Sequence, residues 1–412
     1  MSASVKRAVV SAGVTIPNIA SPEFKADPYP FYARLRDESP VFRIELPTRQ
    51  PAWLITRYDD VAVVLKDERF AKDRGNALSP GPAGKEPWVP GLFQPLTRNM
   101  LDVDPPDHTR LRQLVHKAFT PRLIERLRDR IQVLTEELIA AAAMRRRVDL
   151  IADFALPIPT TIIAEMLGVP ASDRHRFHRW SRRIVASAPS GWRMLPAIPS
   201  AIAFLRYIRR LVKARRSSPR DDLVTALVQA EEEGARLNED ELVAMIFLLL
   251  IAGHETTVNL IGNGMLALLR HPDQLQRLRD EPGMIKVAVE ELLRFDGPLE
   301  TATERYARQD VEVAGTIIRR GELVYAVLGS ANRDERQFPD PDRLDLSREP
   351  NRHLAFGLGV HYCLGAPLAR LEGQIAIGTL VSRLPNLRMT QRRLRWRRSL
   401  VLRGLAALPV EL

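Results

Sequence analysis

Cysteine is almost absent from this sequence, which has one, Cys363, among 412 residues. A single cysteine excludes an intramolecular disulfide and is typical of a protein from a reducing compartment. It also excludes an iron–sulfur cluster held by a set of cysteines. We therefore expect a cytoplasmic protein.

Long apolar runs are also missing. No stretch reaches the roughly 18 residues that a membrane span requires, and the longest dense run, Leu242 to Gly253, is about twelve residues. The first ten residues carry Lys6 and Arg7 but no apolar core of the signal-peptide kind. We expect no membrane span, a flexible tail over residues 1–20 and a single domain over residues 21–412, since no repeat or linker interrupts the chain.

The chain has fewer acidic than basic residues. The chain has 61 Lys and Arg against 50 Asp and Glu, a formal net charge of +11. A basic face is the electrostatic footprint of nucleic-acid binding, but the arginine runs are scattered and no aromatic stacking platform accompanies them. We therefore predict no nucleic-acid partner. Solvated helix faces explain most of the charge, and an acidic protein partner is the next explanation.

Helical patterns dominate what is present. The longest predicted helix begins at Asn238, a good N-cap, and ends at Arg270 before a His-Pro pair. Short strand patterns occur between Val41 and Thr56 and again after Thr303. Residues 75–106 hold four glycines and seven prolines, which predicts a long loop.

Cys363 lies in the stretch Phe-Gly-Leu-Gly-Val-His-Tyr-Cys-Leu-Gly over residues 356–365, directly before an apolar helical pattern. Gly357 and Gly359 allow a tight turn with positive φ. A helix start offers free N–H groups and a favourable dipole, so the thiol pKa should fall and a thiolate should be ready to bind a metal. The simpler interpretation is that a lone cysteine is a small buried apolar residue.

Glu255 and Thr256 form an unusual polar pair within the long apolar helix. A buried acid beside a hydroxyl needs a reason there, because unpaired polar groups are costly. The structural alternative is a threonine bonded back to its own helix. The pair also begins a zinc signature, H-E-x-x-H, but Val258 stands where the second histidine must be, so zinc is rejected.

Two more pairs stand at helical spacing. His108 and Arg112 are four residues apart, and Glu291 and Arg294 are three apart, so each pair shares one helix face. On their own these are ordinary features: two surface cations, and an exposed ion pair that contributes little to stability.

From about residue 20 to the C-terminus, these motifs in this order resemble the cytochromes P-450. The resemblance implies a mainly α fold with small β-sheets, with haem b between the long central helix and the helix after the Cys loop. It implies that Cys363 ligates iron and that Glu255 and Thr256 deliver protons. Further cofactor contacts are implied for a set of residues: His108, Arg112, Ala252, Gly253, Arg305, Phe356, Gly357, His361 and Gly365. The implied structural triad is Glu291, Arg294 and Arg343.

The same resemblance implies a monooxygenase that inserts one atom of O2 into a C–H bond of a hydrophobic small molecule, such as a macrolide or polyketide, terpenoid, steroid or fatty acid. NAD(P)H would act indirectly, through a ferredoxin reductase and an acidic ferredoxin, on a monomeric enzyme. The implied pocket residues are Phe93, Leu248, Ala252, Leu299 and Leu400. The expected ferredoxin patch comprises Arg110, Arg112, Lys117, Arg122, Arg348 and Arg352.

Three alternatives stay open at this point. A peroxygenase or a non-oxygenating haem enzyme would share the fold. A haem-based sensor or binding protein would share the Cys loop but would have no use for Thr256. Nucleic-acid binding by the basic runs would show as strongly salt-dependent retention on DNA.

Overall fold

The computed structural model describes residues 17–46, 48–78, 99–187, 198–232 and 234–412. Helices make up most of the described chain. They are α1 (Pro22–Ala26), α2 (Tyr29–Glu38), α3 (Tyr58–Lys66), α4 (Arg74–Ala77), α5 (Asp107–Ala118), α6 (Pro121–Arg126), α7 (Arg128–Ala143), α8 (Pro157–Met166), α9 (Ala171–Ser187), α10 (Ile198–Ser217), α11 (Leu223–Gln229), α12 (Glu239–Arg270), α13 (Pro272–Asp280), α14 (Ile285–Asp296), α15 (Leu328–Ala331) and α16 (Ala366–Arg383).

The strands are short. They are β1 (Val41–Glu45), β2 (Pro51–Ile55), β3 (Phe70–Ala71), β4 (Arg147–Asp149), β5 (Glu231–Glu232), β6 (Ala235–Arg236), β7 (Arg305–Ala307), β8 (Val311–Val313), β9 (Thr316–Ile318), β10 (Leu323–Ala326), β11 (Arg388–Met389) and β12 (Pro409–Glu411). The largest sheet has the order β1-β2-β10-β7-β3, with β10 parallel to β2. Smaller sheets join β11-β12-β4, β5-β6 and β8-β9. This mainly α fold with small sheets agrees with the prediction.

The central helix α12 begins as predicted. The Asn238 side chain accepts from the Glu241 N–H at 2.9 Å, and the Glu241 carboxylate accepts from the Asn238 N–H at 2.8 Å. This reciprocal capping box satisfies two backbone groups at the helix start. By length and composition α12 could cross a membrane, but 61% of its most apolar window is buried against other helices, among them α8, α10, α14 and α16.

Hydrophobic clusters cover both faces of the five-stranded sheet. Along β2, Trp53 and Ile55 pack on α3, whereas Ala52 and Leu54 pack on the opposite side with residues of α1 and α2. Alternation with period two is what a strand buried on both faces produces. The largest cluster lies among the helices around α12. The helices and the sheet therefore have separate cores.

Several predicted boundaries differ from the structure. The sequence pattern from Pro121 to Met144 predicts a long helix, but the chain forms two helices, α6 and α7, which meet at Leu127. The pattern from Trp396 to Leu412 predicts strand, but this segment contains only β12 and residues of two isolated bridges. Residues 1–16 of the predicted tail, residues 79–98 of the predicted loop with Phe93, and residues 188–197 lie outside the described residues.

Candidate active site

The loop before α16 is held in a tight, closed conformation. Gly357 and Gly359 have φ values of 70° and 72°, which confirms the predicted positive φ. A Cβ on Gly359 would lie 2.9 Å from the Leu65 carbonyl oxygen, so a side chain there would also collide with α3. The Cys363 N–H donates to the Phe356 carbonyl at 3.0 Å, and α16 begins three residues later at Ala366. The loop therefore fixes the thiol at the helix start.

The Cys363 thiol pKa is raised, not lowered. Burial is the largest cause, and it outweighs the backbone N–H of Gly365 and the positive charges of Arg112 and Arg370. The prediction of a lowered thiol pKa was wrong, because the helix start also removes the sulfur from water. A thiol of this kind loses its proton when a metal takes the proton's place.

Buried donors without partners gather beside this loop. His108 is 1% exposed, and neither of its ring nitrogens has a hydrogen-bond partner. Its ring centroid lies 4.1 Å from that of His361. Arg305 is also buried, and its Nε has no partner. Burial, followed by the charges of His108 and Arg305, lowers the pKa of His361 to about 2. Such a cluster has the chemistry to receive a buried anion.

Lys72 is a member of this cluster that the sequence reasoning missed. Its Nζ donates to Thr303 Oγ1 at 2.5 Å and to the Glu304 carbonyl at 2.7 Å. Burial, and next the charge of Arg305, lowers its pKa to about 7. The one sequence signal was a lysine directly after the short apolar strand β3. Lys72 therefore adds a cation beside the unpartnered donors.

Arg112 also lies at the Cys loop. Its Nη2 donates to the Tyr362 carbonyl at 2.7 Å, so α5 and the loop are joined next to Cys363. Arg370, on α16, pairs with Glu290, and its guanidinium lies 4.4 Å from the Phe356 ring centroid. The predicted cofactor residues His108, Arg112, Arg305, Phe356 and His361 are thus brought to one place.

One face of α12 is open in the middle of the helix. Leu248, Ala252 and Thr256 follow one another at four-residue spacing; Ala252 is exposed and the other two are half-buried, although most of the helix around them is buried. A Cβ on Gly253 would meet Ile163 of α8 at 3.8 Å, which is an ordinary contact. Ala252 is the small, exposed residue on the open face, and the expected contact of Gly253 with the cofactor stays a prediction.

The predicted acid and alcohol both have partners. The Thr256 hydroxyl donates to the Ala252 carbonyl at 2.8 Å, which is the back-bonded geometry named as the alternative. Glu255 Oε1 lies 3.6 Å from Nη1 of Arg397, a residue of the C-terminal segment that the sequence reasoning did not assign to the site. Arg397 could not have been found from sequence, because 142 positions separate it from Glu255.

A second carboxyl group lies behind the site on α16. Glu372 is buried, and burial raises its pKa to about 8, with only the Thr257 hydroxyl favouring its charged form. Thr257 follows Thr256 on α12 and donates to the Gly253 carbonyl at 3.3 Å. Glu372 is therefore a neutral acid at ordinary pH, and the sequence analysis did not single it out.

The structural triad has a different third member. Glu291 and Arg294 pair as predicted, through Nε–Oε2 and Nη2–Oε1 bonds of 2.7 and 2.8 Å, and both are buried. The Arg343 side chain is exposed, and only its carbonyl accepts from Arg294. Arg348 instead reaches Glu291 Oε1, with its Nε at 3.2 Å. The prediction of Arg343 is corrected to Arg348, because the chain turns Arg343 outward and Arg348 inward.

The pocket residues predicted from sequence lie in different parts of the core. Leu248 packs on the helical cluster, Leu299 on the cluster of α3, and Leu400 on that of α1 and α2; all three are half-buried. Leu299 is bridged to Leu402, which places the two chain segments side by side. Leu248 and Ala252 also share the open face of α12.

These residues match haem better than a bare metal ion. Within the described residues, no three His, Cys, Asp or Glu side chains are grouped as ligands for a metal ion. Cys363 supplies one ligand, so iron bound there would need further ligands from a cofactor, and a porphyrin provides them. The porphyrin carboxylates would find the unpartnered nitrogens of His108 and Arg305. The fold and this site together define the class of haem-thiolate proteins.

Comparisons with known proteins give the same class. The Cytochrome P-450 family model matches residues 204–393. The chain is 48% identical over 393 residues to Cytochrome P-450 107B1 of Saccharopolyspora erythraea, covering 94% of this chain and 95% of that protein. It is 44% identical to Cytochrome P-450 monooxygenase PikC of Streptomyces venezuelae, covering 94% and 92%. The chain belongs to the cytochrome P-450 family, and it is an oxidoreductase of the monooxygenase kind.

Solved structures resemble the whole described fold. The Bacillus subtilis bacillaene polyketide synthase cytochrome PksS has a TM-score of 0.88 and 42% identity, covering 96% of this chain and all of that one. The myxobacterial CYP267B1, in complex with myristic acid, also has a TM-score of 0.88, with 46% identity and coverage of 96% and 99%. P-450BioI, in complex with an acyl carrier protein ligated to hexadec-9Z-enoic acid, has a TM-score of 0.86, 38% identity and coverage of 95% and 100%.

Proposed function

We propose that this enzyme inserts one oxygen atom from O2 into a C–H bond of a long apolar molecule, a polyketide-like or fatty-acyl chain. Two observations carry the proposal: the set of buried, unpartnered donors beside the Cys363 loop, and the open face of the central helix α12 at Ala252. The names of similar proteins support the substrate class, since they include a polyketide biosynthesis enzyme and a structure with bound myristic acid. Terpenoids and steroids are apolar molecules of the same kind.

The residues around the Cys loop would hold haem b. Cys363 would be the iron ligand, and Arg112, His108, Arg305 and His361 would donate to the carboxylates. Lys72 joins them as a further cation. Thiolate-ligated haem iron supplies the activation of O2, with the thiolate favouring cleavage of the O–O bond.

Thr256 and Glu255 manage protons at the open face of α12. The Thr256 hydroxyl can turn from the Ala252 carbonyl to offer its proton to a bound molecule, since its present bond lies within its own helix. Glu255 is partly exposed and is held by Arg397, so its carboxylate can exchange protons with water while staying near the helix. A positioned acid and hydroxyl are what proton transfer requires.

Electrons would come from NAD(P)H through a reductase and an acidic ferredoxin that docks on the Cys-loop side. Two of the six expected cations do not serve this surface, because Arg110 pairs with Glu241 and Arg348 pairs with the buried Glu291. Arg122 and Arg352 are exposed. A cleft of about 550 Å³ between α5 and the Cys loop is lined by residues that include Arg112, Lys117 and Val360. The docking patch is thus smaller than the sequence predicted, but it keeps one sign of charge.

Carrier-bound chains are a second substrate class. One similar structure, P-450BioI, holds a fatty acid that is attached to an acyl carrier protein.

The test of the proposal begins with the thiolate. The ferrous–CO complex of the holoenzyme should show the red-shifted Soret band of thiolate ligation, and Cys363→Ala should lose it. With surrogate ferredoxin and reductase, NAD(P)H should then drive oxygenation of myristic acid. A sensor would bind CO but form no product. A peroxygenase would form product from peroxide but none from NAD(P)H with the surrogate partners. Either result would contradict the proposal.

A further inference from the structure

The positive charge of this protein is concentrated on two neighbouring helices. Helices α9 and α10 comprise 37 residues and carry eleven Arg and Lys but a single acid, Asp173. Their formal charge of +10 compares with +11 for all 412 residues. The remainder of the chain is therefore almost neutral, and the two helices need an explanation of their own.

Part of this charge is used internally. Arg174 pairs with Glu165 at 2.8 Å, Arg209 with Asp240 at 3.0 Å, and Arg215 with Asp222. These pairs attach the two helices to α8, α11 and α12. They leave a second set of cations that plays no such part.

Six exposed cations form two rows. The row on α9 is Arg176, Arg179 and Arg183, and the row on α10 is Arg206, Arg210 and Lys213. Spacings of three and four residues place each row on one helix face. Among the described residues, no carboxylate oxygen lies within 4.0 Å of their charged nitrogens, although four other cations of the two helices have such partners. These two rows are called the basic rows.

The opposite faces of the two helices are aromatic and packed inward. Phe177 lies 5.4 Å from Phe204 between ring centroids, and Phe204 lies 5.8 Å from Phe247 of α12. Phe247 directly precedes Leu248, where the open face of α12 begins. The helix pair thus packs on α12 next to the candidate substrate pocket, while the basic rows lie on its exposed surface.

The surface chemistry selects among anionic partners. Membrane-bound helices insert large apolar residues, but among the described side chains of α9 and α10 none of the large apolar ones is exposed. Single-stranded nucleic acid requires aromatic residues on which bases stack, and the aromatic residues described here face each other or the core. An acidic protein needs only complementary charge.

We propose that the basic rows are the docking surface for a small acidic carrier protein that brings the apolar substrate, distinct from the surface for the electron donor. This inference rests on the proposed oxygenation of a long apolar chain. A carrier docked on α9 and α10 lies on the helix pair that packs against Phe247 of α12, next to Leu248, where the open face begins. Exposed cations of one sign act mainly by raising the association rate, and their effect falls as salt screens them over about 8 Å.

The experiment measures docking and substrate binding separately on the holoenzyme. Docking is followed by fluorescence anisotropy of a dye-labelled acidic acyl carrier protein, and substrate binding by the haem spectral shift with free myristic acid. The test variant is Arg179→Glu with Arg210→Glu, one change in each row. The matched control is Lys117→Glu with Arg352→Glu, which places the same charge change on the Cys-loop side.

We expect the carrier to bind the wild-type enzyme more weakly as salt rises, and the test variant to weaken binding at low salt by roughly tenfold or more. Free myristic acid should bind the test variant as it binds the wild type, and the control variant should bind the carrier normally. Equal carrier binding by wild type and test variant would overturn the inference. So would slower reduction of the test variant by ferredoxin, or loss of binding to anionic vesicles or DNA with carrier binding intact, since each assigns the rows to another partner. Failure of free myristic acid to shift the wild-type spectrum would count against the proposed substrate class and not against docking.

Discussion

Arg348 should be essential to the core around Glu291, and Arg343 should not. We compare Arg348→Ala with Arg343→Ala. The first removes a guanidinium that is bonded to Glu291 and donates to the carbonyls of Pro339 at 2.7 Å and Asp340 at 3.2 Å. The second removes an exposed side chain. Arg343 contributes only its backbone carbonyl to the network, and the substitution keeps that carbonyl.

The size of the stability loss in Arg348→Ala depends on which partners Glu291 keeps. Without Arg348, Glu291 keeps both bonds to Arg294 and one to Asn351, so no unpaired buried charge results. The loss is a set of charge-assisted hydrogen bonds worth about 1.5–3 kcal/mol each, partly replaced by water, because Arg348 lies near the surface. We expect a loss of roughly 2–4 kcal/mol in the free energy of unfolding. Arg343→Ala should stay within about 0.5 kcal/mol of the wild type, as an exposed substitution.

Urea unfolding of the ferric holoenzyme, followed by far-ultraviolet circular dichroism, measures the difference. With a denaturant slope of about 3 kcal/mol/M, the midpoint of Arg348→Ala should fall by about 1 M. Arg348→Lys keeps the positive charge but loses the planar guanidinium, so its urea midpoint should lie between those of the wild type and Arg348→Ala. A midpoint shift for Arg343→Ala as large as that for Arg348→Ala would refute the reasoning and restore the triad predicted from sequence.

Three further predictions concern the chemistry. Thr256→Ala should keep haem and substrate binding, but more of the NAD(P)H that it consumes should yield hydrogen peroxide. The control Thr257→Ala should form as much product per NAD(P)H as the wild type. Equal product per NAD(P)H for the wild type and both variants would contradict the proton-delivery role of Thr256. Lys117→Glu with Arg352→Glu should slow reduction by ferredoxin in stopped-flow measurements, most at low salt, and leave peroxide-driven turnover intact; salt-independent reduction would place the docking site elsewhere. Glu372 has a folded-state pKa of about 8, above its unfolded value, so its contribution to stability is full at acid pH and is lost as the pH rises through 8. The urea midpoint of Glu372→Gln relative to wild type should therefore rise between pH 5 and 8, and a constant difference would refute the buried neutral acid.

The sequence by itself determined the local features. The positive φ of Gly357 and Gly359, the N-cap at Asn238 and the end of α12 at Arg270 were all predicted and confirmed. Each depends on residues within a few positions of one another, through backbone sterics or a capping hydrogen bond. The pairing of Glu291 with Arg294 belongs to the same kind, since one helical turn brings them together.

The tertiary structure decided what depends on distant residues and on burial. Arg397 reaches Glu255 from the C-terminal segment, and Lys72 joins Arg305 through the pairing of β3 with β7. The thiol pKa of Cys363 was predicted in the wrong direction, because the local helix start favours a thiolate while the packed surroundings exclude the water that would solvate it. Periodicity and motifs show which groups a chain carries. Only the folded chain decides which of them lose water together, and that loss sets both their partners and their pKa values.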